Sequence, residues 1–184
     1  MSAPPSPFFL AHAEAIRDAA RLGPVLDLAC GRGRHAIATA ELGVPVLAID
    51  RDPDALAALR RAARERGLTR AGGLRADLET QHGIPVRSES CGAVLVFRFL
   101  FRPLARAIVD VLAPGGLLLY ETFTQKQRTL GHGPRNPAFL LGPGELPELF
   151  CALEIECAWE GLTAGAPPEA LARLVARRRR AGTR

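Results

Sequence analysis

Residues 25–36, V-L-D-L-A-C-G-R-G-R-H-A, constrain this chain more than any other stretch. The opening is apolar except for Asp27, which suits a short buried parallel strand, and Gly31 and Gly33 then stand where a helix has to begin. Glycine is wanted at such a turn because it adopts positive φ without penalty and lets a ligand approach bare backbone. The N–H groups of the following helix point at that ligand. The run therefore predicts a strand, a tight turn and a helix around a cradle for a nucleotide or cofactor. Asp50 closes a second apolar run over 46–49. An acid there, about 20 residues past the glycines, is placed to accept hydrogen bonds from ribose hydroxyls in a βαβ unit.

The flanking sequence supports that unit. Apolar residues at helical spacing over 7–22, ended by Gly23-Pro24, predict an N-terminal helix. A first core helix is expected over 33–42, a second strand over 44–49, and a helix opened by Asp52 as N-cap with Pro53 behind it. A weaker strand follows over 73–77. Residues 91–97 read as a strand covered on both faces, 100–112 as a helix, and 117–123 as the fifth strand. Such alternation predicts a doubly wound α/β sheet with right-handed crossovers. It lapses over 124–144, a polar stretch rich in glycine and proline and without clear period, of the kind that is functional or mobile. A short helix over 145–150 and a strand over 153–159 come next. Residues 170–178 have a local pattern that favours helix over strand.

Composition excludes several classes. A chain of 184 residues that is 48% hydrophobic and 23% charged is expected to be one soluble globular domain. No window approaches the ~18 consecutive apolar residues of a membrane span, and the start lacks a positively charged segment ahead of an apolar one, so a cytoplasmic protein is expected. The net charge of +5 is concentrated in the arginines beyond residue 172, which leaves the rest near neutral; the Arg177 to Arg180 run reads as a solvated end, and nucleic acid is an unlikely partner. Cys30, Cys91, Cys151 and Cys157 form no C-x-x-C pair, so neither a metal site nor a disulfide framework is expected. Cys30, Cys91 and Cys157 read as small buried hydrophobes in strand-like stretches, with Cys30 the best placed to sense a ligand.

The string G-R-G-R-H-A also fits the G-x-G-x-x-A of NAD-type folds, so an NAD(P)-dependent oxidoreductase and a non-catalytic nucleotide-binding module stay open as alternatives. Asp27, four residues before the first glycine, separates the readings, because dinucleotide-binding strands continue apolar there. With A-I-D, A-D-L-E and L-x-P-G-G following in order, residues 25–123 resemble the class I S-adenosylmethionine-dependent methyltransferases. The wording of the glycine motif is similar to the small-molecule and tellurite-resistance-type members. The resemblance implies S-adenosyl-L-methionine as cofactor and a small-molecule methyl acceptor, on one domain over 1–184. Its parts would be an N-terminal helix (1–23), a cofactor-binding core (24–123), a substrate loop (124–144), a C-terminal hairpin region (145–178) and a basic tail (179–184). It also implies a seven-stranded, mostly parallel sheet ending in an antiparallel hairpin, which makes 170–178 a strand against its local pattern.

Carried over by position, the family pattern sets Asp27 beneath the methionine amino group and Ala29, Cys30, Gly31 and Gly33 against the cofactor backbone, with Ala29 replacing the motif's first glycine. Asp50 and Arg51 fall at the ribose, Asp77 and Leu78 at the adenine, and Phe97 at the sulfonium. Arg98, Glu121, Arg128, His132 and Arg135 are the candidate acceptor-side residues, and Tyr120 is a further titratable group nearby. In-line transfer from a sulfonium demands alignment more than acid–base chemistry, and no catalytic residue stands out. The N/D-P-P-Y/F signature of amino-methylating nucleic-acid enzymes is replaced by F-R-F-L.

Overall fold

In the computed structural model, which describes residues 3–180, strands β1 (Val25–Leu28), β2 (Val46–Asp50), β3 (Ala71–Arg75), β4 (Cys91–Phe97), β5 (Leu112–Phe123), β6 (Glu154–Leu162) and β7 (Ala170–Arg177) form one sheet. Its order is β3-β2-β1-β4-β5-β7-β6. β1 to β5 pair in parallel, and β7 runs antiparallel between β5 and β6. This is the doubly wound, mostly parallel sheet with an antiparallel C-terminal hairpin that the motifs imply. The order reverses between β1 and β4, which opens a crevice at their carboxyl ends.

Alternate residues of the central strands feed two cores. Leu26, Leu28, Val94, Val96, Leu118 and Tyr120 pack against Ile108 and Val111 of α5 (Ala105–Val111), with Leu146 of α6 (Glu145–Leu149) and Phe150 beyond. Val25, Ala93, Leu95 and Leu119 face the other way, onto Phe9 of α1 (Pro7–Ala11), Ile16 of α2 (Ala13–Ala19), Ala36 of α3 (Arg34–Glu41) and Leu59 of α4 (Pro53–Glu65). Every residue of β4 is buried. At ~1.5–3 kcal/mol for each fully buried Val or Leu, this strand anchors both layers.

Several local expectations shift. The N-terminal helix is two, broken at His12, which serves as C-cap of α1 and N-cap of α2. The helix expected over 100–112 begins as a 3-10 turn, Arg102–Leu104, and its α-helical part spans Ala105–Val111. Residues 170–177 are strand, because β7 is buried along most of its length between β5 and β6, and ladder pairing on both sides outweighs a helical pattern that would have left one face wet. Asp52 caps α4 as expected, accepting from the N–H groups of Asp54 and Ala55.

The segment over 124–144 is tied at both ends. Thr124 N–H donates to Ala170 O, Leu141 N–H to Phe123 O, and Leu140 and Leu141 are fully buried. Arg102 clamps its far side by donating to the carbonyls of Ala138 (3.0 Å) and Leu140 (2.9 Å) while paired with Glu145.

The arginine run is only partly a solvated end. Arg178 donates to the carbonyls of Leu112 (2.6 Å), Asp110 and Val109 and pairs with Glu89, and Arg177 pairs with Glu156, so both brace the sheet. Residues 181–184 lie outside the described part. The cysteines also divide differently from expectation: Cys91 is buried and Cys30 half-buried, but Cys157 is exposed because β6 is an edge strand with both faces open. Among the described residues no cluster of three potential metal ligands forms, and no helix is long and apolar enough to cross a membrane.

Candidate functional site

The turn between β1 and α3 is built from residues in left-handed conformation: Ala29 at φ 50°, Gly31 at 53° and Gly33 at 78°. At Gly33 a Cβ would come within 2.1 Å of a Leu59 methyl carbon, whereas at Gly31 it would meet nothing within 4 Å. The two glycines thus have different jobs. Gly33 lets α3 pack on α4, and Gly31 keeps the approach to the cradle open. Ala29 takes a conformation that ordinarily favours glycine, at a cost of ~1 kcal/mol or more.

Beneath the turn, Asp27 is buried with its Oδ2 lacking a hydrogen-bond partner. Burial pushes its carboxyl from 3.8 up to about 7, opposed by a hydrogen bond from the Ala36 backbone and by the Arg34 charge. A lone carboxylate oxygen in such a place is costly unless a cation meets it. Above, Asp50 at the end of β2 accepts from Gly31 N–H (2.7 Å) and Asp52 N–H (2.9 Å), locking the glycine turn to the second strand. Cys30 donates to Gly31 O, and burial together with the charges of Asp27 and Asp50 pushes its thiol up, so it stays protonated.

Three neighbouring cavities meet at the carboxyl ends of β1, β4 and β5. The first, about 410 Å³, brings together the predicted Ala29, Asp50, Arg51, Asp77, Leu78 and Arg98. Its far side is Phe99, Phe123, Pro134 and Phe139. Asp77 Oδ1 accepts from Glu79 N–H, and Glu79 in turn pairs with Arg51. The second, about 380 Å³, is lined by Ala29, Cys30, Gly31, Arg34, Phe97 and Arg98. The third, about 620 Å³, lies between the N-terminal prolines and the β6–β7 hairpin and includes Glu121.

Arg98 touches all three. Its backbone is left-handed (φ 61°), its N–H donates to Glu121 O, and its guanidinium reaches both oxygens of Glu169 and stacks over Phe123 at 4.5 Å. Glu121 is buried with its carboxylate engaged by Ser6 Oγ–H (2.9 Å) and Arg173 Nε–H (2.8 Å). Tyr120 donates to Phe99 O, and burial raises its hydroxyl pKa. His35 accepts Ser6 N–H on Nε2 and stacks on Phe97 with ring centroids 3.8 Å apart. Burial, aided by Arg34 and Arg98, lowers His35 to about 3, so it is neutral and holds the N-terminal strap over the site.

Arg128, His132 and Arg135 line none of these cavities. Arg128 is exposed, Arg135 donates to Gly131 O, and the His132 ring bonds through Nδ1 to Leu130 O with its Nε2 buried. From the same segment Pro134 and Phe139 reach the first cavity instead. Sequence reasoning passed over Arg34, although it sits inside the glycine motif, and had no signal for Glu169, Trp159 or Arg173, which arrive from the hairpin only by folding.

No curated protein matches this sequence. Solved structures do match: a protein from the conversion of a disulfide bond into a thioacetal group during echinomycin biosynthesis (22% identity, 96% of this chain, 83% of that one, TM-score 0.74), an S-adenosylmethionine-dependent methyltransferase from Methanosarcina mazei (18%, 97% and 100%, TM-score 0.71), and TehB from Haemophilus influenzae (20%, 90% and 62%, TM-score 0.70). At such identities the likeness is one of fold. The family model of the methyltransferase domain matches residues 25–116, half of the chain and the whole of the cradle. The chain therefore belongs to the methyltransferase-domain family, with the class I, S-adenosylmethionine-dependent fold that its motifs resemble.

Proposed function

We propose that this protein transfers a methyl group from S-adenosyl-L-methionine to a small-molecule acceptor, with the cofactor lying across the first two cavities. The observation that carries the reading is the buried Asp27 carboxylate, whose Oδ2 has no partner; Asp27 lines no cavity itself, but it stands two residues before Ala29, which lines both of the first two, and Gly31 leaves open space beside it. An ammonium group satisfies that oxygen and offsets the burial cost; the methionine end of the cofactor carries one. Asp50 and Arg51 then meet the ribose hydroxyls, Asp77 and Leu78 the adenine, and the backbone of Ala29, Cys30 and Gly31 the chain between them. Phe97 stands at the sulfonium end. Gly33 supports the cradle from behind, through its close packing on Leu59. The residues present fit the cofactor.

When bound, the cofactor supplies an electrophilic methyl group on a positively charged sulfur. The residues of this chain contribute position. Glu121 and Tyr120 are committed to internal partners, His35 is neutral with its lone pair taken, and the bare His132 Nε2 opens onto none of the cavities. The other carboxylates that line the cavities are Glu79 and Glu169, each in an ion pair, and Asp50 and Asp77, assigned here to the cofactor, so acceleration rests on alignment, worth up to ~7–11 kcal/mol in well-oriented cases, more than on a base. Cavities of about 410, 380 and 620 Å³ and the pinned Arg177 and Arg178 support a small acceptor over a nucleic acid.

Isothermal calorimetry with S-adenosylhomocysteine, beside NAD and ATP, tests the reading. Saturable binding of S-adenosylhomocysteine alone is the expected result, with the melting transition raised by ~2.7 kcal/mol of added stability at 100 times the dissociation constant. Failure to bind it, or equal binding of NAD, overturns the assignment.

A further inference from the structure

The third cavity is the largest, and its charges do not balance. It is lined by three guanidinium groups, Arg34, Arg98 and Arg173, and two carboxylates, Glu121 and Glu169. Arg98 is paired with Glu169 and Arg173 with Glu121. Arg34 is half-buried, and among the described residues it has neither an ion pair nor a hydrogen bond; desolvation and the Arg98 charge disfavour its cation, against longer-range attraction from Glu121, Asp27 and Glu169. A guanidinium stays protonated under all ordinary conditions, so its burial cost is removed by a counter-charge and not by loss of a proton. The rest of the wall is mostly apolar, with Pro4, Pro5 and Pro7 from the N-terminal segment and Trp159, Leu162 and Leu171 from the hairpin, and it includes the hydroxyls of Ser6 and Thr163. Trp159 and Leu162 are more exposed than large apolar side chains in this protein ordinarily are, at 38% and 44%. Trp159 is held in place by Arg173, whose guanidinium lies 4.8 Å from its ring and 5.4 Å from that of Phe8.

We infer that the cavity between the N-terminal strap and the β6–β7 hairpin is a binding site for a small organic monoanion with a flat apolar body, held by Arg34 and Trp159, and that the methyl acceptor belongs to this chemical class. A half-buried guanidinium with no direct partner calls for one negative charge within hydrogen-bond reach, and the proline and tryptophan walls call for an apolar, preferably aromatic, remainder. Arg34 and Arg98 line both this cavity and the one over Gly31, so a ligand here adjoins the cofactor cradle. The class also agrees with the engagement of the lining carboxylates, because an acceptor that arrives ionised needs no base. Naming the ligand as the acceptor rests on the methyltransferase reading; the anion site itself does not.

The chain has a single tryptophan, so tryptophan emission, excited selectively over Tyr120, reports on this cavity. Phenylacetate, its neutral isostere phenylacetamide, and sulfate are titrated into the full chain, with and without saturating S-adenosylhomocysteine. Phenylacetate should change the Trp159 emission saturably in both conditions. Phenylacetamide, and phenylacetate on Arg34→Gln, should bind about tenfold or more weakly, as expected for loss of a charge-assisted contact. Arg61→Gln, at an exposed arginine on α4 outside the cavities, should leave the titration unchanged. Equal binding of phenylacetamide by the unmodified protein overturns the proposal even if Arg34→Gln does not fold. Equal binding of sulfate removes the role of the apolar walls and overturns it too. Loss of the phenylacetate response under saturating S-adenosylhomocysteine would mean that Arg34 serves the cofactor carboxylate instead, and the acceptor site is then elsewhere. Calorimetry with S-adenosylhomocysteine alone decides the methyltransferase reading separately, so the two failures are distinguishable.

Discussion

If Asp27 meets the cofactor's ammonium group as proposed, cofactor affinity should depend on pH through its carboxyl. Its carboxyl is buried and pushed from 3.8 up to about 7, mainly by desolvation. The free folded protein therefore holds a proton there that the unfolded chain has lost above its own pKa of about 4. The sign follows: between those two values the folded state binds more protons, so stability falls as pH rises through this window and levels off above about 7. The span corresponds to a change of order 4 kcal/mol at ~1.4 kcal/mol per tenfold. The cofactor's ammonium group, protonated below its own pKa of about 8, requires the carboxylate form. Affinity for S-adenosylhomocysteine should therefore fall roughly tenfold for each pH unit below about 7, with a proton released on binding. Asp27→Asn keeps the shape and removes both effects. Its affinity should be flat between about pH 5 and pH 7 and, at neutral pH, weaker by ~1.5–3 kcal/mol, while the unliganded variant should be no less stable than its parent. Calorimetry in two buffers of different ionisation heat measures the affinity and the released proton together. A pH-independent affinity in the unmodified protein, or an Asn variant that keeps the slope, would refute the assignment of that proton to Asp27.

Asp50→Ala removes the acceptor of the Gly31 and Asp52 N–H groups as well as the proposed ribose contact, so S-adenosylhomocysteine should bind at least ~1.5–3 kcal/mol more weakly and amide exchange at Gly31 should quicken; unchanged affinity by calorimetry would leave Asp50 as a turn-bracing residue only. Gly31→Val and Gly33→Val should separate: both put a branched residue at positive φ, but the first meets no neighbouring atom and should mainly lose binding, whereas the second also places a Cβ 2.1 Å from Leu59 and should lower the melting temperature further. A Gly33→Val protein as stable as its parent would contradict that packing. Arg102→Ala frees the carbonyls of Ala138 and Leu140, so hydrogen exchange over 131–139 should rise and turnover should suffer more than cofactor affinity; unaltered exchange there would mean the segment is held by its buried Leu140 and Leu141 alone.

The cradle was legible in the sequence because its signals are local. A strand, two glycines and an acid at the tip of the next strand each follow from backbone sterics and hydrogen-bond valence over a few residues, and Ala29, Asp50, Arg51, Asp77 and Leu78 do converge on one cavity. Even there, chain neighbours with the same residue type proved to have different roles. Gly31 faces open space and Gly33 faces Leu59, a distinction that depends on where α4 packs. Glu121 looked available as a base because nothing near it in sequence could pair with it; Ser6 and Arg173 reach it from opposite ends of the chain.

The residues of 170–177 carry the same lesson at the level of an element, since their own periodicity favours helix and only pairing with β5 and β6 makes them strand. What the sequence by itself determined was the alternation of strands and helices through β5, the glycine turn and the acids around it, all set by interactions within a few residues or by burial periodicity. What only the tertiary structure decided was which charges are paired and which cavity each faces: Arg34 without an ion pair among the described residues, Arg98 shared among three cavities, Trp159 sharing a cavity with the N-terminal prolines. Ion pairing and cavity walls depend on distances between segments far apart in the chain, and those distances exist only once the sheet has closed.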